Sequence, residues 1–309
     1  PFTVGGAPDI LKSGNRKELI QLKAVFTLTP SESKRLLAKA VVQMPEVKAA
    51  WETAYLLLAG GTTNALLAQE LLGDRSIAPA RCAVGLSTNG LLCVTDPATR
   101  TSFPNVFYHG QPQPEMTLSE ALADYHPQTV IIKGANAVDT DGYVGVIASG
   151  FDGGVIPRLI GAATSKGLTW ITPVGLEKLV PSVQAAARAL GGASRIDISM
   201  GADPGMYCLG TTTVVTELEA ISILFGCEAA LVCCGGVGGN EGAVTLAVDG
   251  EAPRVQHMVE YLEANIKGEP PVPGNKGTCA RCRYRFCRYC GLRDEELPVW
   301  LQGREGTEG

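Results

Sequence analysis

The amino-acid sequence predicts an α/β protein: a Rossmann-like, mostly parallel sheet covered by helices, joined to a smaller ferredoxin-like α+β domain and a short metal-binding knuckle. Three observations carry this. Short apolar strands alternate with helical stretches between residues 54 and 172, the rhythm changes to β-α-β-β-α after residue 192, and Cys279, Cys282, Cys287 and Cys290 are spaced C-x2-C-x4-C-x2-C. The expected division is an N-terminal extension over 1–28, an α/β ligand-binding domain over 29–192, an α+β domain over 193–268, a proline-rich linker over 269–275, the knuckle over 276–293 and a tail over 294–309.

Length and composition permit this plan. The 309 residues are 45% hydrophobic and 18% charged, with 37 Gly and 19 Pro, which excludes both a disulfide-stapled peptide and wholesale disorder. The longest apolar runs, 54–59 and 229–234, fall far short of the roughly 20 residues a bilayer span needs. No membrane helix is expected. The first residues lack a basic segment followed by an apolar run and a small-residue cleavage site, so a cytoplasmic location is expected. A net charge of −5, from 31 acids and 26 bases, sets up no global attraction for nucleic acid or anionic lipid.

From Glu18 the chain reads as helical, and Thr29-Pro30-Ser31-Glu32 is a capping box that opens a further helix through Leu37, Ala40, Val41 and Met44. Strand-like segments follow at 54–58, 82–86, 105–108, 130–133 and 168–172. Helical stretches separate several of them, at 64–72 and after the box Thr117-Leu118-Ser119-Glu120. Such alternation favours a parallel sheet buried on both faces. After a helix at 183–190, residues 207–214 read as a strand, Thr216-Glu217-Leu218-Glu219 caps a helix, 229–234 and 243–248 read as strands around a glycine-rich turn, and Pro253 opens a last helix.

Small-residue turns mark the expected ligand edge. The strand at 54–58 runs into a helix through Gly60, Gly61, Thr62, Thr63 and Asn64, a turn that aims backbone N–H groups and a positive helix end at an anion. The same turn also serves as a tight connection with glycine at positive φ and threonine as cap. Ser87, Thr88 and Asn89, the run from Lys133 to Gly142, and the run from Ser149 to Gly154 have the same small-residue character. In an open parallel sheet, turns after the strands line one edge, where ligands bind.

In this order, the Gly-Gly-Thr-Thr turn, Ser87-Thr88-Asn89, Lys133-Gly134-Ala135-Asn136-Ala137-Val138-Asp139, Gly153-Gly154-Val155-Ile156-Pro157-Arg158 and Glu177-Lys178-Leu179-Val180 resemble the superfamily of phosphosugar isomerases, sugar-phosphate-sensing repressor domains and CoA transferases. Ribose-5-phosphate isomerase gives the pattern that aligns best, over residues 36–181. The resemblance implies phosphate or hydroxyl contacts at Gly60 to Asn64 and at Ser87 to Asn89, and a ligand-facing lysine at Lys178. Two departures count against ribose-phosphate isomerisation. The isomerases read Asp-Gly-Ala-Asp-Glu where this chain has Lys133, Asn136 and Ala137, and their catalytic glutamate follows an arginine where Leu159 follows Arg158.

The residues left to carry chemistry are Asp139, Asp141 and Asp152 as acids or bases, Lys133 and Lys178 as charge stabilisers, and Arg158 with Gly153 and Gly154 as an anion clamp. Asp139 and Asp141 are equally good turn formers. His109, His126 and His257 are scattered, and support no nucleophilic triad. The glycine-rich turn Gly235-Gly236-Val237-Gly238-Gly239-Asn240-Glu241-Gly242 precedes a strand, so it is no dinucleotide fingerprint; it reads as a hairpin loop able to cover the crevice. Cys233 and Cys234, with Cys82, Cys93, Cys208 and Cys227, read as reduced core residues.

The two C-x2-C turns place four thiolates for a tetrahedral site, so zinc is the expected cofactor, with an iron–sulfur cluster as the alternative. Arg281, Arg283, Arg285 and Arg288 interleave with Tyr284, Phe286 and Tyr289, which makes the knuckle the one place where nucleic acid would bind. The expected function is thus an enzyme acting on a small anionic metabolite: a phosphorylated sugar, a carboxylate or a thioester. A non-catalytic sensor of such a metabolite is the alternative, and a nucleic-acid or protein-binding module the second. A homo-oligomer is the expected assembly.

Overall fold

The structure, a computed structural model, describes residues 20–150 and 152–304. The readings that fall on 1–19, on Phe151 and on 305–309 lie outside the described residues. β1 (Gln21–Leu28) leads to α1 (Pro30–Val41) and α2 (Pro45–Thr53); β2 (Tyr55–Leu58) feeds α3 (Thr62–Leu72), and β3 (Gly85–Thr88) and β4 (Leu91–Val94) form a hairpin. Next come β5 (Val106–Tyr108), β6 (Gln111–Pro112), α4 (Leu118–Ala123), β7 (Val130–Ile132), β8 (Ala137–Val138), β9 (Val144–Ala148), α5 (Ile156–Lys166) and β10 (Thr169–Pro173). α6 (Val183–Leu190), β11 (Gly205–Leu209), β12 (Thr213–Val215), α7 (Glu217–Phe225), β13 (Glu228–Cys234), β14 (Val244–Glu251) and α8 (Ala252–Asn265) follow.

A six-stranded mixed sheet in the order β12-β10-β7-β2-β5-β6 organises the molecule, and the protein is of the α/β class. β12, β10, β7 and β2 run parallel, whereas β5 and β6 are antiparallel. Strands covered on both faces need apolar side chains at every position, and β2 (Tyr-Leu-Leu-Leu) and β7 (Val-Ile-Ile) are buried throughout. Alternate residues serve two cores. Leu56, Leu58, Val130, Ile132 and Ile171 join residues of α1, α2, α3, α7, α8 and β14. Leu57, Ile131 and Trp170 pack with Leu122 of α4, Leu159 of α5 and Val144 and Val146 of β9.

Residues 21–28, expected to be helical, form β1 instead. Leu22, Ala24, Phe26 and Leu28 alternate with more exposed neighbours, and all eight residues pair antiparallel with β14. The single strand expected over 207–214 divides into β11 and β12, which belong to different sheets. The break is at Gly210, where a Cβ would stand 2.5 Å from the Tyr143 ring. The segment 82–86 reaches strand geometry only at Gly85 and pairs in the β3–β4 hairpin, outside the six-stranded sheet.

Residue 192 is not a break in packing. β12 extends the six-stranded sheet, and α7, β14 and α8 share one apolar core with α1, α3 and β2. The three-stranded sheet β1-β14-β13 takes its first strand from the N-terminal segment. Among the described residues no helix is long and apolar enough to cross a membrane.

Candidate functional site

The carboxyl ends of β2, β7, β10 and β12 bring together the polar groups that the core excludes. Beyond β2, Gly61 donates its amide to Cys82 O at 3.1 Å and adopts φ +150°, a region open almost only to glycine. A Cβ on Gly60 would lie 3.3 Å from the same carbonyl. α3 then begins without a side-chain cap, leaving a positive helix end facing this edge. Asn64, almost wholly buried, ties two strands by donating Nδ2 to Ala59 O at 2.7 Å and Ile132 O at 2.9 Å. Its Oδ1 has no partner.

Lys133 is the residue that follows β7. Desolvation, with the positive charge of Lys178 second, pulls its ammonium down to about 8. Lys178, in the turn after β10, is also lowered, by desolvation first and then by Lys34, with Glu177 and Glu217 opposing. Glu177 Oε1 accepts from Lys34 Nζ at 2.8 Å and lies 3.4 Å from Lys178 Nζ. Burial alone would raise Glu177, but these two ammonium groups together hold it below the ordinary carboxyl value. Glu217, the first residue of α7, shifts the other way: burial raises it, and the charge of Glu177 adds to this. Its Oε2 accepts from Leu176 N at 2.9 Å, while Oε1 is unpartnered.

Glycines make room for both carboxylates. A Cβ on Gly175 would stand 3.1 Å from Glu217 Oε1, and one on Gly242 would stand 3.3 Å from Glu177 Oε2. Gly242 closes the glycine-rich loop between β13 and β14. At the other foot of that loop, Cys234 Sγ donates to Leu176 O at 3.8 Å. The loop therefore stands against the Glu177–Lys178 turn, with Val237 exposed. Cys233 and Cys234 are exposed rather than buried, because both lie at the end of β13.

Two neighbouring carboxyl groups pushed in opposite directions supply an acid and a base at one pH. Two lysines whose ammonium groups are pulled down by burial, together with an open helix end, supply anion affinity. The sequence singled out Gly60, Gly61, Thr62, Thr63, Asn64, Lys133 and Lys178 for this edge, and the fold places all seven there. Glu217 was read as a capping-box residue, and nothing local in Thr216-Glu217-Leu218-Glu219 foretells its burial under Leu176.

Other expected residues lie elsewhere. Ser87, Thr88 and Asn89 belong to the β3–β4 hairpin, whose tip has Asn89 at φ +52° and Gly90 at φ +72°; Asn89 Nδ2 donates to Arg304 O at 3.0 Å. Asp139 is buried, but its oxygens accept from the amides of Asp141 at 3.1 Å, Tyr143 at 2.9 Å and Val183 at 2.8 Å. It clamps a loop. Asp141 is exposed. Asp152 and Arg158 form an exposed pair at 3.4 Å, worth little in water. Gly153 borders a shallow cavity of about 280 Å³ with Tyr207, Ala148 and Met206, and Gly154 donates to Asp152 Oδ1 at 3.0 Å.

The cysteine segment forms two matching turns, in which Cys282 N donates to Cys279 O at 3.0 Å and Cys290 N to Cys287 O at 3.1 Å. A hydrogen bond from Cys282 stabilises the Cys287 thiolate and holds that thiol below its ordinary value, while Cys282 itself is raised. Cys290 Sγ donates to Cys282 O at 3.2 Å. Cys93 on β4 is a fifth thiol of the group: burial pushes it up to about 11, with Lys276, Cys279 and Cys287 as its charged neighbours. Among the described residues no three Cys, His, Asp or Glu side chains are gathered tightly enough to hold an ion.

The segment is docked rather than free. Gly277 N donates to Val94 O at 3.0 Å, and Ser199 exchanges backbone hydrogen bonds of 2.9 Å with Phe286 and Arg288. Tyr289 is buried, edge-on to Trp300, and Tyr284 is hydrogen-bonded to Ser149 at 2.8 Å. These two rings are committed to the fold. Arg281 reaches Asp96 at 3.2 Å, whereas Arg283, Arg285 and Arg288 face solvent.

Comparison of the chain with protein-family models, with curated proteins and with solved structures gives no match.

Proposed function

We propose that the protein is an enzyme acting on a small anionic metabolite, a phosphorylated sugar, a carboxylate or a thioester, bound at the carboxyl edge of the parallel strands. One observation carries the reading: Lys133 follows β7 and Lys178 lies in the turn after the adjacent β10, both with ammonium groups lowered by burial and on the edge where α3 opens, with Glu177 and Glu217 beside them shifted in opposite directions. A pure sensor needs the anion site but not the acid and base. The glutamate pair therefore favours catalysis over sensing, although Asp139 and Asp152 are otherwise engaged.

In this proposal the parallel strands are a Rossmann-like sheet of the phosphosugar isomerase and CoA transferase kind, with the ligand at the same edge. Cys279, Cys282, Cys287 and Cys290 would hold zinc, or an iron–sulfur cluster as the alternative, supported by the two matching C-x2-C turns. Arg283, Arg285 and Arg288, the solvent-facing arginines of the knuckle, are where nucleic acid would dock.

A thermal-shift screen of phosphosugars, nucleotides, CoA esters and hydroxy acids tests the anion site. At least one class should stabilise the protein, Lys178→Met should abolish that shift, and the stabilising compound should be consumed on incubation. Stabilisation without turnover returns the sensor reading. No stabilisation by any anion overturns both.

A further inference from the structure

Lys133 holds an unusual place for a lysine. It is the first residue beyond β7, a strand buried on both faces between β2 and β10. Its amide donates to Ile171 O at 3.1 Å, so the backbone that carries it is fixed by the sheet. Its ammonium donates to a neutral acceptor, Gly134 O, at 3.0 Å, and among the described residues no carboxylate lies within ion-pair distance of it. A Cβ on the next residue, Gly134, would stand 3.5 Å from Pro173 O, which sets Lys133 against the end of β10 and the turn that carries Lys178; the charge of Lys178 acts on Lys133, and Glu177 joins Lys178 at 3.4 Å to Lys34 at 2.8 Å. Part of the Lys133 side chain remains open to solvent.

A lysine that only binds anions works best fully charged and paired. A lysine enclosed beside a second cation loses its proton easily and gains a usable lone pair. We infer that Lys133 is a covalent nucleophile, forming a Schiff base with the carbonyl carbon of a small carbonyl-bearing anion, a 2-oxo acid or a sugar-phosphate aldehyde, whose negative group is held by Lys178 and the open end of α3. This rests on the anion-site reading above. The nitrogen lone pair forms the C–N bond as the carbonyl π bond breaks, and the oxygen takes a proton to give a carbinolamine. That hydroxyl then departs as water while nitrogen forms the C=N bond; both hydrogens of the water come, in net, from the amine, and nothing is oxidised or reduced.

The lowered value supports the geometry: an amine near 8 rather than 10.5 has roughly 300-fold more free base at pH 7. Reductive methylation of the full chain with formaldehyde and cyanoborohydride, quantified lysine by lysine, reads this without a known substrate. Lys133 should be methylated faster than the exposed Lys48 at pH 7, with a midpoint near pH 8 that rises in Lys178→Met as the repelling charge is lost. Slower methylation than Lys48 overturns the inference.

A second arm incubates the protein with pyruvate, 2-oxoglutarate or glyceraldehyde 3-phosphate and then borohydride. An adduct on Lys133, absent from Lys133→Arg, supports the inference and separates oxo acid from aldehyde. If these compounds raise the melting temperature yet leave Lys133 unlabelled, the nucleophile is overturned and the anion site stands. If Lys133 is methylated rapidly but no anion stabilises or labels the protein, the anion reading is overturned. Lys178→Met keeps the test available should Lys133→Arg fail to fold.

Discussion

Burial makes the charged forms of Lys133 and Glu217 less favourable than in water, and this has a cost in stability that pH exposes. Lys133 binds its proton less tightly in the folded chain, at about 8 against 10.5. The unfolded chain therefore holds more protons between those values, and the Lys133 contribution to stability rises as pH increases from 8 to 10.5. At pH 7 the penalty is present almost in full, at most about 3 to 4 kcal/mol for a shift from 10.5 to about 8, and less because the side chain is partly solvated. Lys133→Met should then raise the melting temperature at pH 7, by about 2–4 °C for each kcal/mol regained, while abolishing any anion-induced shift. A variant that melts lower would show that the charge is not strained. Glu217 has the opposite window. Its contribution is full below the ordinary carboxyl value of 4.5 and is lost as pH rises through the higher folded value. Glu217→Gln keeps an acceptor for Leu176 N and removes the titration, so its melting temperature relative to the parent should increase between pH 4.5 and 7 while turnover is lost. A difference that stays flat across that range would count against a raised carboxyl.

At the scale of elements, the turn between β2 and α3 depends on glycine at one backbone position. Gly61 sits at φ +150° with open space where a Cβ would stand, so Gly61→Ala should destabilise through the backbone alone, by about 1–3 kcal/mol. Equilibrium denaturation measures this, and a loss below about 0.5 kcal/mol would mean that the turn relaxes easily. This turn was legible in the sequence because its cause is local. So were the capping boxes at Thr29, Thr117 and Thr216, each of which the structure forms in both directions. β1 was not, although Leu22, Ala24, Phe26 and Leu28 alternate. Its lysine, leucine and alanine favour helix, and the partner that decides otherwise, β14, lies more than 200 residues away in register pairs such as Gln21 with Glu251. The same limit hid Glu217 and Cys93. A local window cannot show that Leu176 will cover one or that Cys279 and Cys287 will approach the other. Asp139 shows the reverse case, a turn residue whose buried carboxylate is engaged by three backbone amides.

Across the whole molecule, one apolar core runs from Leu28 and α1 through β2 and β7 to α7, β14 and α8. Sequence rhythm divided the chain at 192, but residues 193–268 alone lack β10, which pairs with β12, and β1, which pairs with β14. That fragment should fail to give dispersed amide resonances, and the full chain should show one main calorimetric transition over these elements. The knuckle differs. Leu91, Cys279, Tyr289, Leu297 and Leu301 form a separate small cluster, and the cysteine segment is attached to the rest by backbone hydrogen bonds to Val94 and Ser199 and by side-chain contacts with Asp96, Ser149 and Asp203. If metal occupies the four thiols, binding on the order of 10 to 16 kcal/mol, as in zinc-finger peptides, holds together a cluster too small to persist by burial alone. Cys282→Ser takes away one of the four thiols and leaves a hydroxyl, a poor zinc ligand, in its place. Amide exchange should then become fast over 276–293 and through the β3–β4 hairpin, while β2, β7 and β10 stay protected and the main transition is nearly unchanged. Elemental analysis of the parent should find one zinc per chain; a brown protein with acid-labile sulfide would assign the thiols to an iron–sulfur cluster instead. Unchanged protection over 276–293 in both Cys282→Ser and metal-stripped parent would show that packing against Leu91, Leu297 and Leu301 alone holds the segment.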